Sequence, residues 1–571
     1  MLQPNIGRTA FAESTGRDEV TDQRACYNVA MSFETRLTPE MIARHHASGW
    51  WGKETIYRLL SARVAAHPDR EAIVDPRRRI TYRELKDGID RTAAVLKARG
   101  IGRGDVVTIQ LPNWVEFAFV FFALELLGAV ANKISPDFRS REVSYILRFS
   151  KSRAYVCSQN FKGFDYPGMV HALMPELPDL RFICVVDGAG ENDVSLAAEL
   201  ATTPPLPDAE RVAMSADEVF RMAFTSGTTG NPKCVLHSFN TTLPACRILT
   251  REMQASENDV FLIYLPVGLN WGYLLLVQAL LLGARVVLLD RFSGRAALEL
   301  IAREQVTFVA SAPASLIAML NEPELDRFDC SSLRVVITGG ASCPVETLRA
   351  FQHRMAGHLI ELYGMLETGY HAYTRLTDDP ETVNGTIGRC VDGMGLRLID
   401  AAGGDVPRGA EGEIAADGPS VHLGYYNNPQ ANAEAFTADG WFRTGDLGVV
   451  ADEAGNVRIV GRSKEIINRG GKKFFPREVE EILYTHPKVL HAAMVGVADP
   501  RLGERNCLCV VPKNGAAVSL AEFTDFLRDQ VATYKLPERL EVLDELPFTP
   551  TGKIQRFILQ RQIEARDKAD R

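Results

Sequence analysis

Residues Ala223–Ser238 read AFTSGTTGNPKCVLHS. The apolar residues in front of and within its start (Val219, Met222, Ala223, Phe224) predict a short strand running into a turn. Thr225, Ser226, Gly227, Thr228, Thr229, Gly230, Asn231, Pro232 and Lys233 follow, with little side-chain bulk among them. Gly227 and Gly230 permit backbone conformations closed to other residues, so successive N–H groups can converge on one anion. The hydroxyls of Thr225, Ser226, Thr228 and Thr229 add donors, and Lys233 adds a point charge. Two readings stand at this point: a polyphosphate-binding turn, or a flexible Ser/Thr/Gly surface turn. The Gly-x4-Gly-Lys-Ser/Thr spacing of the common P-loop is absent.

The surroundings of this stretch set the fold class. Apolar, β-branched runs recur at VVTIQL (106–111), RFICVV (181–186), VFLIY (260–264), ARVVLL (284–289), VTFVA (306–310) and LRVVITGG (333–340). Helical patterns such as 115–127 separate them, which predicts an α/β fold of parallel sheets flanked by helices. Ligands in such folds sit at strand C-termini, where Thr225–Lys233 and Gly339–Ser342 fall. From about residue 385, short strands and glycine turns (GLRLID, GEIAADG, VRIVGR) predict a small antiparallel unit. After Gly461–Ile467 a compact α+β tail is expected, with helices at 477–484, 520–531 and from Gln555, and strands at 489–497 and 507–511.

A chain of 571 residues exceeds one hydrophobic core, so two or more domains are expected. A net charge of −8 argues against nucleic-acid binding. The ten cysteines contain no CxxC pair. That fits neither a zinc site nor a disulfide framework and predicts a reducing, cytoplasmic setting. The strongest apolar runs, Phe117–Leu124 and Tyr273–Ala284, are too short to span a bilayer. Residues 1–30 have no secretory core and read as a disordered tail or a start placed too early. Adjacent His45 and His46 point to different faces of one helix, so no metal is expected there.

With its downstream motifs in order, the chain resembles the adenylate-forming superfamily of acyl-CoA synthetases, adenylation domains and luciferases over roughly residues 50–560. The resemblance implies that TSGTTGNPK holds the β- and γ-phosphates of ATP. YGMLETG supplies Tyr363, Gly364, Met365, Leu366 and Glu367. Of these, Tyr363 would stack on adenine and Glu367 would help hold Mg²⁺, while Leu366 replaces the family's usual Ser/Thr. GGAS (Gly339, Gly340, Ala341, Ser342) would lie against adenine and the acyl pocket. Asp446 of TGD would bind the ribose hydroxyls, with Arg462 beside it; Lys464 takes the hinge position; Gly470 and Gly471 flank the coenzyme A channel. Lys553 of PFTPTGK would bridge the substrate carboxylate and the α-phosphate, making Lys553, Glu367 and Thr228 the implied catalytic set. The implied domains are an adenylating domain over 31–462 and a mobile C-terminal domain over 463–571.

The implied reaction joins a carboxylic acid to AMP with loss of pyrophosphate, then passes the acyl group to coenzyme A. PVGLNWG (Pro266–Gly272) matches the family's acyl-pocket motif, with Leu269 in place of the usual His or aromatic residue. Leu269, Asn270, Trp271, Ala310, Gly339 and His371 are the expected wall, with no evident Arg or Lys for a second anion. A neutral acid of short or medium length, aliphatic, alicyclic or aromatic, is therefore expected. GWWGKET, SPDFR and INRGGKKFFPREVE most resemble medium-chain and cyclohexanecarboxylate CoA ligases, and aryl-acid AMP ligases that load a carrier-protein pantetheine. Coenzyme A is the preferred acceptor because no carrier domain is fused. A luciferase-like oxygenase and a non-catalytic homologue are the alternatives. A homodimer, and a lysine acetyltransferase acting on Lys553, are further expected partners.

Overall fold

The computed structural model describes residues 33–188, 190, 192–225, 232–549 and 552–569. The tail expected over 1–30 lies outside these, as do Ser226, Gly227, Thr228, Thr229 and Gly230. The chain divides into Met1–Glu34 and a compact unit over Thr35–Arg571.

Two large sheets build the body. The first contains β1 (Val106–Gln110), β2 (Val130–Lys133), β3 (Val219–Phe224) and β4 (Cys234–Ser238). Its order is β4-β3-β2-β1, followed by Ala154–Cys157, Phe182–Val185 and Val194–Ser195. All neighbours are parallel except β3 and β4, which form a hairpin around the opening stretch. Every residue of β1 to β4 is buried, the polar Asn132, Lys133, Arg221 and His237 included; cover on both faces suits the mostly apolar sequences of β1 and β3. Helices α1 (Val115–Leu126), α2 (Phe239–Glu252) and α3 (Asn270–Leu282) follow these strands and later ones. α1 is buried on all sides, and α3 is buried from Trp271 to Leu280, as expected of helices without a polar face.

The second sheet has nine strands, including β5 (Phe308–Ser311), β6 (Val335–Gly339), β7 (His358–Met365) and β8 (Gly369–Tyr373). β5, β6 and β7 are parallel neighbours; β7 turns into antiparallel β8 through Leu366–Thr368. The expected antiparallel unit is a four-stranded sheet that ends in β9 (Phe442–Val450) and β10 (Val457–Arg462).

Beyond Ile467 the tail forms its own five-stranded sheet around the hairpin Val489–Asp499/Gly503–Pro512. Alternation along that hairpin sends Ala492, Met494, Leu508 and Val510 to one face, against Val479, Leu483, Phe523 and Leu527. Ala493, Val495, Val497, Cys507 and Cys509 go to the other, against Leu559 and Ile563. The cysteine pair is therefore apolar filling. Helices α4 (Arg477–Leu483) and α5 (Arg556–Ala569), with the helix Leu520–Leu527 between them in the chain, supply these partners. Arg556, at the start of α5, donates to Glu480 Oε1 and Oε2 at 2.5 and 2.9 Å and to Glu465 Oε2 at 3.1 Å. Polar ties from α4 to the body include Arg477 Nη1 to the Ile459 carbonyl at 3.1 Å and Val345 N–H to Glu481 Oε2 at 3.3 Å.

Candidate active site

The hairpin β3–β4 closes its loop at the base. Thr225 N–H donates to the Lys233 carbonyl at 2.9 Å, and Lys233 N–H donates to Thr225 Oγ1 at 3.1 Å. Lys233 Nζ stands 4.6 Å from the centre of the Tyr425 ring. Tyr425 in turn donates its hydroxyl to Glu367 Oε1 at 3.0 Å. Burial holds the Glu367 carboxyl above its usual range, opposed by the positive charges of Lys553 and Lys233. Lys233, Tyr425, Glu367 and Lys553 thus form one electrostatic neighbourhood.

A second group lies beside it. Asp446 and Arg462 are direct partners in the β9–β10 register. Arg462 Nε donates to Asp446 Oδ1 at 2.7 Å, and the Tyr363 hydroxyl donates to Oδ2 at 2.7 Å. Lys553 enters from the tail on a turn in which Thr549 N–H donates to the Lys553 carbonyl at 2.7 Å. Lys553 N–H returns a bond to Thr549 Oγ1 at 3.0 Å. Gly552 takes φ +78°, and a Cβ there would come within 2.6 Å of Ala312 Cβ, so the turn touches the body where only glycine fits. Burial first, and then the charge of Arg462, lower the Lys553 ammonium to about 8, with Asp446, Glu367 and Glu465 opposing.

Glycine also allows close approach on the floor of the site. A Cβ on Gly339 would sit 2.2 Å from the Leu362 carbonyl oxygen. Gly340 follows at φ +77° and leads into Ala341 and the exposed Ser342. Met365 and Leu366 continue past Gly364 into the turn before Glu367. Leu269 is the N-cap of α3, Asn270 its first residue, and Trp271 is buried with its Nε1 unpartnered. Ala310 is buried in β5. His371 is buried, with Nε2 3.0 Å from the Gly395 carbonyl, and burial lowers its imidazole to about 4. Lys464 is exposed within the short helical turn Ser463–Glu465. Gly470 and Gly471, at φ +60° and +82°, form a hairpin turn, and a Cβ on Gly471 would meet nothing within 4 Å.

Two features escape the sequence. His237 lies buried under the turn, its Nε2–H donating to the Leu366 carbonyl at 2.8 Å with Nδ1 3.0 Å from Thr241 Oγ1. A histidine inside an otherwise apolar strand, just before the N-cap Ser238, was the available signal. The second is a base beside Asn270, where the sequence reading named no Arg or Lys. Arg221 Nη1 donates to Asn270 Oδ1 at 3.2 Å, and Lys133 lies buried alongside. Both sit inside strands whose facing direction single-sequence patterning does not fix.

Among the described residues no cluster of three or more His, Cys, Asp or Glu side chains could cage a metal. Glu367 offers a lone hard oxygen donor, which suits a magnesium ion held mainly by phosphate oxygens.

Known proteins resemble this chain along most of its length. The AMP-binding enzyme family matches residues 60–426, and the AMP-binding enzyme C-terminal domain matches 478–553. The medium-chain fatty-acid–CoA ligase of Escherichia coli (strain K12) is 35% identical over 530 residues, covering 92% of this chain and 93% of its own. The 2,3-dihydroxybenzoate-AMP ligase of Bacillus subtilis (strain 168) is 34% identical, covering 92% and 96%. The crystal structure of the anthranilate CoA ligase AuaEII in complex with anthranoyl-AMP superposes with TM-score 0.84 at 26% identity, covering 91% and 99%.

Proposed function

The chain belongs to the AMP-binding enzyme family and is an adenylate-forming ligase, and on that basis we propose that it converts a carboxylic acid to its acyl-CoA thioester. A free carboxylate is a poor acyl donor because its leaving group would be oxide. In the first step a carboxylate oxygen bonds to the α-phosphorus of ATP, the bond from that phosphorus to the bridging oxygen breaks, and pyrophosphate departs. In the second, the coenzyme A sulfur bonds to the acyl carbon, the acyl–oxygen bond breaks, and AMP leaves.

The observation that carries this reading is Lys553: a tail residue in the same electrostatic neighbourhood as Glu367, Asp446 and Arg462. In the proposal its ammonium meets the substrate carboxylate and the α-phosphate, two anions that must approach to bonding distance. Charge grows there in the transition state, so a fixed cation stabilises that state more than the ground state. Asp446 accepts from the ribose hydroxyls, Tyr363 faces adenine, and Lys233 meets the departing phosphates. Glu367 supplies the protein oxygen for magnesium, which when bound neutralises phosphate charge. A pivot at Lys464 then withdraws Lys553 and admits the thiol.

Pyrophosphate release from MgATP, measured over a panel of carboxylic acids with and without coenzyme A, tests the reading. Lys553→Ala should lower the rate by about 10²–10³. Undiminished release by that variant, or none by the wild type with any acid, would overturn it. The 2,3-dihydroxybenzoate-AMP ligase is named for its adenylate and not for a coenzyme A product, which supports weighing a second acceptor, a carrier-protein pantetheine. Comparing coenzyme A with a pantetheinylated carrier in the same assay decides between them.

A further inference from the structure

Lys133 and Arg221 are buried bases that the nucleotide side of the site leaves unused. β2 and β3 are parallel neighbours in which Arg221 is paired with Ala131 and Lys133 with Ala223. Residues two apart on a strand share a face, so both bases project from the same side of the sheet. His237 joins that row, because the β3–β4 register sets it opposite Arg221.

The first turn of α3 covers them. Lys133 Nζ and Arg221 Cζ each lie 4.9 Å from the centre of the Tyr273 ring. Arg221 Nε donates to Thr242 Oγ1 at 3.1 Å, and Nη1 reaches Asn270, the first residue of α3. Both bases are 1% exposed. Lys133 Nζ has no hydrogen-bond partner, and neither do Tyr273 Oη and Trp271 Nε1. α3 begins without a side-chain cap, which leaves the positive end of the helix at Asn270.

Buried cations in proteins are normally paired with a carboxylate. Among the described residues no carboxylate acts on Lys133 or Arg221. Glu125, which acts on Tyr273, is engaged by the Tyr57 N–H at 2.9 and 3.0 Å, and burial pushes its carboxyl up to about 7. Burial and the charge of Arg221 hold the Lys133 amine well below its usual range, and burial lowers Arg221 to about 10. An anion arriving between them would reverse both shifts. Surplus donors in dry surroundings lie against Tyr273, and one of them, Arg221, reaches Asn270 at the helix N-terminus, a residue expected from the sequence to line the acyl pocket.

We propose that Lys133 and Arg221 bind a second carboxylate of the acid substrate, so that the preferred substrates are dicarboxylic acids. One carboxylate goes to the α-phosphate and the other to this pair. The proposal rests on the reading of the site as an adenylating one. Asn270 acts here as a positioning residue, holding Arg221 at the mouth of α3.

Pyrophosphate release from the full chain should be compared for a homologous series of α,ω-dicarboxylic acids and monocarboxylic acids of equal length. The wild type should favour the dicarboxylic member, at its best length, by about 100-fold or more in kcat/KM, since a site built for a polar group rejects the analogue lacking it. Lys133→Met and Arg221→Met should each collapse that ratio, mainly through KM for the dicarboxylic acid, and Lys133→Arg should restore part of it. The ratio compares two substrates on one preparation, so partial misfolding of a variant does not mask the result. As a check on the wild type alone, the best dicarboxylic acid should raise Tm more than its monocarboxylic counterpart, with magnesium and a non-hydrolysable ATP analogue present. A wild-type preference for monocarboxylic acids, or a ratio untouched by both methionine variants, would overturn the proposal while leaving the adenylating reading in place. Absence of release with every acid would overturn that reading, and this proposal with it.

Discussion

Lys553 carries the clearest pH signature in the molecule. Its ammonium is lowered to about 8 by burial and by Arg462. It is charged below that value and neutral above it, and only the charged form can stabilise the anions that meet in the first half-reaction. The kcat/KM for pyrophosphate release should therefore fall as pH rises through about 8, well before an ordinary lysine would titrate. Lys553→Arg should lose this alkaline limb even if its rate is lower, because a guanidinium stays charged throughout. A profile that stays flat to the usual lysine range would contradict the assignment. At this scale the sequence was informative where chemistry needs a fixed residue type beside a glycine: Lys553 follows Gly552, Asp446 follows Gly445 within β9, and Glu367 sits in the turn before Gly369. It was silent on Arg221, Lys133 and His237, which are separate in the chain and become neighbours only through strand register.

The elements explain how such residues meet. Asp446 and Arg462 come from two motifs, and their contact follows from the antiparallel pairing of β9 and β10, which neither motif specifies. The Lys553 turn depends on Gly552, whose φ of +78° and closeness to Ala312 leave no room for a side chain. Gly552→Ala should lower pyrophosphate release by on the order of 10-fold or more through backbone strain and displacement of Lys553. Thioester formation from supplied acyl-AMP should change much less, because in the proposed two-step scheme that step does not use the turn. Equal loss in both halves would show that the turn serves folding instead. The apolar runs predicted β1 and the all-buried helix α1 closely, since burial on every side leaves an unbroken hydrophobic signal. Strand order left no such trace.

On the scale of the whole molecule, the tail holds a hydrophobic core on each side of its sheet and meets the body through polar ties such as Arg477–Ile459 and Glu481–Val345. A unit with its own cores can turn without unfolding. Lys464→Pro, which fixes one backbone angle in the Ser463–Glu465 turn, should slow acyl transfer to coenzyme A by about 10-fold or more while affecting pyrophosphate release far less. Separate assays of the two half-reactions check this, and equal effects would place the pivot elsewhere. Arg556 determines how such a turn would be transmitted. It grips Glu465, next to the pivot, and Glu480 of α4, and it stands three positions after Lys553 in the chain. Arg556 therefore ties the segment after Lys464 and the base of the lysine turn to one lever. If the tail pivots at residue 464 as proposed, rotation there is carried through this clamp to the Lys553 tip, so that a small turn of the backbone becomes a larger displacement of the lysine.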